Sequence, residues 1–116
     1  LLEIINKYIQ IIKEYNVVDY DIEPIGYRFK AEIIFKDCSK LRVRDYFFSF
    51  YRKYSFHWQD EKNNLILRWD NAPHWSEIET LPYHKHNNNQ VLSSKEMFLD
   101  DVLEYISNKI KFNSAD

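Results

Sequence analysis

The 116-residue sequence predicts an α+β domain: a single twisted antiparallel sheet of about five strands, with an N-terminal and a C-terminal helix packed on its apolar face. Three observations predict it. Apolar residues recur at helical spacing at both ends of the chain. Between those ends the period falls to two over several stretches parted by turn-forming residues. The composition, 45% apolar and 17% aromatic, is rich enough for a packed core at this length. No repeat or linker interrupts it, so residues 1–116 read as one domain.

Leu1, Leu2, Ile5, Tyr8, Ile9 and Ile12 share one helical face and predict a helix from Leu1 to about Glu14. From Val17 to Ile25 the period is two, with Val18, Tyr20 and Ile22 against Asp19, Asp21 and Glu23. Pro24 and Gly26 mark a turn. Tyr27 to Lys36 alternates again, with Tyr27, Phe29, Ala31, Ile33 and Phe35 inward. Asp37-Cys38-Ser39 has turn chemistry and joins this strand to one from Lys40 to Tyr51. Arg52-Lys53 then breaks the apolar run as a turn or kink. Tyr54 to Gln59 and Leu65 to Asp70 form a hairpin around Glu61-Lys62-Asn63-Asn64. Its register sets Trp58 opposite Leu67 and Phe56 opposite Trp69, with His57 opposite Arg68 and Ser55 opposite Asp70 on the other face. A slip of one residue would mix apolar with charged side chains on both faces. Asn71 to Pro82 reads as a loop anchored by Trp75, and Tyr83 to Gln90 as a short extended piece ending in an Asn-rich turn. Ser93 with Glu96 has capping-box spacing. The helix after it runs to about Lys111 and buries Phe98, Leu99, Val102, Leu103, Ile106 and Ile110.

Composition narrows the function. One glycine excludes a Gly-rich phosphate loop. The lone Cys38 has no internal disulfide partner, which fits a reducing cytoplasmic setting. No apolar run approaches the ~18 residues of a membrane span, and no basic-then-apolar leader is present. The chain opens on Leu1 rather than Met, so a start further upstream is to be expected. The net charge is only −2, yet Arg28 to Arg68 holds ten basic residues against five acidic, including every arginine. Such a segment with interleaved aromatics suits a phosphate-bearing partner.

All four histidines lie between Tyr54 and His86. In His84-Lys85-His86 the two imidazoles are two residues apart, so an extended backbone points both to one side. Two imidazoles suit a general base and a general acid, and Lys85, Arg44 or Arg68 could steady charge on a phosphate. That set is sufficient for RNA cleavage by the 2′-hydroxyl without metal or other cofactor. A metal reading would take His84 and His86 with His57 or His74, and Asp70 as carboxylate. Asp45 interrupts an apolar strand face, where it is either part of a site or a structural ion pair.

The chain resembles the TumE-type toxins of prokaryotic toxin–antitoxin modules. Tyr54, His57, Gln59 and Asp60 carry the likeness first, then Leu65, Arg68, Asp70, Asn71, Ala72, Pro73 and His74, then Pro82, His84, Lys85 and His86. Upstream, Leu41, Arg44, Asp45 and Tyr46 match a family strand, and Ser94 to Ile106 resembles its acidic helix. Trp75 and Tyr83 stand where the family usually has histidines, and Asp45 where it has Glu. The resemblance implies a cytoplasmic toxin countered by a cognate antitoxin, with RNA as target. It also brings Tyr54 to the phosphate-binding set and Asn71, with Asp70, to the supporting one.

The leading expectation is therefore a metal-independent endoribonuclease. His84 or His57 is the base, His86 or His74 the acid, Asp45 a further catalytic candidate, and Arg44, Arg68 and Lys85 hold phosphate. The alternative is a non-catalytic nucleic-acid or protein interaction module using the same basic and aromatic face. A homodimer is compatible with either.

Overall fold

A computed structural model of the chain, describing residues 1–71, 84–87 and 90–114, contains one antiparallel sheet of seven strands in sequence order. The strands are β1 (Ile12–Glu23), β2 (Gly26–Phe35), β3 (Lys40–Phe48), β4 (Tyr51–Gln59), β5 (Leu65–Asp70), β6 (His84–Asn87) and β7 (Gln90–Ser93), flanked by helices α1 (Leu2–Lys7) and α2 (Leu99–Ser114). The α+β class and the single sheet agree with the sequence. Of the two further strands, β6 falls within the stretch Tyr83 to Gln90 that reads as extended, and β7 is too short for a periodic signal.

One face of the sheet is the core. Phe29, Ala31, Ile33 and Phe35 from β2, Leu41 and Val43 from β3, and Tyr54, Phe56 and Trp58 from β4 are buried with Leu67 and Trp69 of β5. Ile5 of α1 and Leu99, Val102, Leu103 and Ile106 of α2 belong to the same cluster. Tyr105 seats α2 on the sheet, edge-on to both Trp58 and Trp69. The Asp37 turn forms as expected, its carboxylate accepting the Ser39 N–H. Ser39 in turn accepts the buried Trp58 indole N–H at 3.0 Å. The β4–β5 register agrees at all four predicted pairs.

Three boundaries differ. The first helix ends at Lys7, and β1 begins at Ile12, not Val17. Register shifts between Ile12 and Glu14 and between Val17 and Asp19 put Ile12, Tyr15, Val17 and Tyr20 opposite core-face residues of β2. Tyr8, Ile9 and Ile12 continue the helical spacing of α1 and hide the start of β1, whereas its remainder is the strand that the alternation from Val17 predicts. Secondly, β3 turns at Ser49-Phe50, not at Arg52-Lys53, because Phe48 pairs with Tyr51. Both turn residues have positive φ, 50° and 72°, as a two-residue hairpin of this hand requires. Neither is Gly or Asn, so the turn carries no sequence signal. Thirdly, α2 starts at Leu99. Asp101 accepts the Phe98 N–H at 2.9 Å and supplies the capping bond expected of Glu96, which instead pairs with Arg52. Phe98, expected in the core, is 50% exposed and lies against Arg52.

Past the helices the core face opens into a groove of about 1160 Å³, lined by Ile4, Tyr20, Ile22, Phe47, Phe50 and Phe98 among others.

Candidate active site

Cross-strand pairing arrays the polar residues of the opposite face in rows. One row runs Glu32, Arg42, His57, Arg68, His86 from β2 to β6. The next runs Lys30, Arg44, Ser55, Asp70. Paired residues of adjacent strands share a face, so side chains distant in sequence meet here by strand order alone.

Four of them are joined by hydrogen bonds. Arg68 donates Nη1–H to His57 Nδ1 at 3.2 Å and Nε–H to Asp70 Oδ2 at 3.1 Å. His86 Nε2 lies 3.0 Å from the same Asp70 oxygen and donates to it. A guanidinium can only donate, so His57 Nδ1 is the acceptor and the neutral ring carries its proton on Nε2. Burial lowers the His57 pKa below its ordinary 6.5, and the charges of Arg68 and Arg42 lower it further, against a side-chain hydrogen bond with Gln59. The His57 ring is therefore neutral at pH 7. Asp70, only 7% exposed, orients the His86 ring through this hydrogen bond. Arg68 lies between the two imidazoles on the middle strand, its side chain 37% exposed and thus open to an anion.

The sequence-derived set divides. His57, Arg68, Asp70 and His86 come together, with Arg44 in the adjoining row. The backbone of His84 pairs with Asp70; its ring and all of His74 lie outside the described residues. Lys85 pairs with Trp69 and belongs by strand alternation to the core face. Asp45 and Tyr54, which pair with each other, are also on that face. Asp45 accepts Tyr27 Oη at 2.9 Å and both Nε and Nη2 of Arg52, at 2.9 and 2.8 Å. Burial would lower the Arg52 pKa, but the hydrogen bond and charge of Asp45 outweigh it and raise it. Tyr54 is 2% exposed, stacks under the Arg52 guanidinium and accepts the Met97 N–H. Both residues thus stand across the sheet from the imidazoles, in a structural ion-pair cluster. Asn71 extends β5 by one rung. Its side chain accepts the Tyr54 N–H and donates to the Arg52 carbonyl. Arg42 was missed from the sequence, though its place two residues before Arg44 on one strand face marks it. Among the described residues no group of three or more His, Cys, Asp or Glu is arranged to hold a metal ion.

A family model described as Toxin TumE matches residues 1–110. The chain belongs to this toxin family. The match extends the likeness, which ran from Leu41 to Ile106, back over α1, β1 and β2 and on to Ile110 in α2, so the whole sheet lies within the TumE pattern. Membership of a TumE toxin family implies an antitoxin as partner. No curated protein and no solved structure matches the chain. Among the described residues no helix is long and apolar enough to cross a membrane.

Proposed function

We propose that this TumE-family toxin is an endoribonuclease that cleaves RNA by the attack of a 2′-hydroxyl on the adjacent phosphorus, without a metal. The hydrogen-bonded run His57–Arg68–Asp70–His86 on one sheet face carries the reading. Substrate phosphate takes the Arg68 guanidinium, which turns from His57 and releases the Nδ1 lone pair. His57 removes the 2′-hydroxyl proton, and the oxygen attacks phosphorus. Arg68 and Arg44 stabilise the charge that gathers on the phosphoryl oxygens. His86, backed by Asp70, protonates the departing 5′-oxygen. The products are a 2′,3′-cyclic phosphate and a 5′-hydroxyl, with His57 left holding the proton it removed and His86 without the one it carried; exchange with water restores both. His84 is the second candidate for the base and His74 for the acid. A cognate antitoxin protein would restrain this activity in the cytoplasm.

The test is cleavage of a labelled RNA oligonucleotide in excess chelator, with product ends identified by their response to phosphatase and kinase. The expected result is a cyclic phosphate end, lost in His57→Ala and His86→Ala while the far-UV spectrum is kept. RNA that stays intact would reject the proposal, as would activity that depends on an added divalent ion.

A further inference from the structure

The same face extends beyond the imidazoles, and its remaining cations are poorly neutralised. Arg28 pairs with Asp19 and Asp21, Arg42 with Glu32, and Arg68 with Asp70. Lys30, Arg44 and Lys53 have no carboxylate within ion-pair distance among the described residues. Lys30 nevertheless sits directly across from Arg44. Arg44 pairs with Ser55, which makes Lys53 and His57 its two diagonal neighbours on β4. Like charges held opposite one another in a sheet destabilise it. Three such charges, with the Arg68 guanidinium beyond them, invite a chain of anions, not one. Tyr46, opposite Lys53 and two residues beyond Arg44 on β3, places a half-buried aromatic ring in the same patch.

From Lys30 on β2 to His86 on β6 the face crosses four strand gaps, roughly 19 Å at ~4.8 Å per gap. That is room for about four nucleotides, the short end of single-strand site sizes. A broad sheet face bearing long cationic side chains cannot enter the deep, narrow major groove of duplex RNA. It can support a splayed single strand, with phosphates on the cations and a base on Tyr46. The chemistry agrees, because an A-form helix holds each 2′-oxygen out of line with the leaving oxygen, whereas an unpaired nucleotide can align them.

We propose that Lys30, Arg44, Lys53 and Tyr46 form a track for single-stranded RNA that runs across the strands and delivers its scissile phosphate to Arg68. This rests on the RNA reading of the His57–His86 site and adds the strandedness of the substrate and its path. The test is fluorescence anisotropy with a labelled 12-nucleotide single strand and a hairpin duplex of equal composition. It uses the His86→Ala chain, so that nothing is cleaved, with and without Lys30→Gln and Lys53→Gln. The single strand should bind more tightly than the hairpin. Its log–log salt slope should fall by about 1.4 in the double variant, ~0.7 for each lost phosphate contact. An unchanged slope, or equal binding of the duplex, overturns the track even if cleavage is confirmed. Single-strand binding with the expected slope, but no cleavage by the unaltered chain, would retain the track and reject the catalytic reading.

Discussion

Replacing Asp45 by Asn tests whether that carboxylate belongs to the chemistry or to the fold. Asp45 accepts three hydrogen bonds, two of them from Arg52, whose side chain is 9% exposed. Asn keeps one acceptor oxygen and turns N–H groups toward a guanidinium that can only donate. Removing one side of a buried ion pair costs about 3–5 kcal/mol. Arg52 would retain Glu96 at 3.2 Å and the Tyr54 and Phe98 rings, each 4.2 Å from the guanidinium carbon. Those contacts put the expected loss near the lower bound, about 3 kcal/mol. With an m-value of ~1.5 kcal/mol/M, the urea midpoint of the isolated chain should fall by roughly 2 M. The double change Asp45→Leu with Arg52→Met removes both charges and should recover at least half of that loss. RNA cleavage by Asp45→Asn, assayed where it remains folded, should persist. A midpoint within ~0.5 M of the parent, together with abolished cleavage, would refute the structural assignment and return Asp45 to the site.

Ser49→Asn with Phe50→Gly should stabilise the β3–β4 hairpin by about 1–2 kcal/mol, since left-handed backbone penalises most side chains. Phe50 is 93% exposed and gives up no packing, so thermal melting should rise, and an unchanged Tm would contradict the turn geometry. His57, with its pKa lowered below 6.5, binds its proton less readily folded than unfolded. Its contribution to stability is therefore complete above pH 6.5 and is lost as pH falls through the folded value. Its ring titration by NMR should have a midpoint under 6.5 that rises in Arg68→Gln, whereas a midpoint at or above 6.5 would deny the neutral base. Asp100 clasps α2 to α1 through Tyr8 and Lys7, and the Tyr8 hydrogen bond leads the effects that lower its pKa from 3.8. The clasp stabilises above that pH and weakens as acid protonates the folded carboxylate. Asp100→Asn should consequently show less stability change than the parent between about pH 5 and 3 by urea unfolding, and an identical pH profile would exclude the clasp.

The sheet, its apolar face and the β4–β5 register were legible in the sequence because side chains of period two admit only one pairing that buries both tryptophans. His57 opposite Arg68 followed directly from that register. The second half of β1 was legible from its alternation, but its start was not, because Tyr8, Ile9 and Ile12 carry the helical spacing of α1 past the end of that helix. Nor was the β3–β4 turn, where Ser49 and Phe50 accept a backbone that other residues would adopt more readily. The sequence also grouped Asp45, Tyr54 and Lys85 with the histidines, although its own alternation already set Asp45 on the apolar face with Leu41 and Val43. What only the tertiary structure supplied was the partner that holds Asp45 there. The pairing of β6 with β5 set His86 beside Asp70, while Arg52 closed over Asp45 on the other side. What the chain encodes locally is which residues alternate. Which of them meet across four strands depends on strand order and on where each turn falls, and a shift of one residue exchanges the two faces.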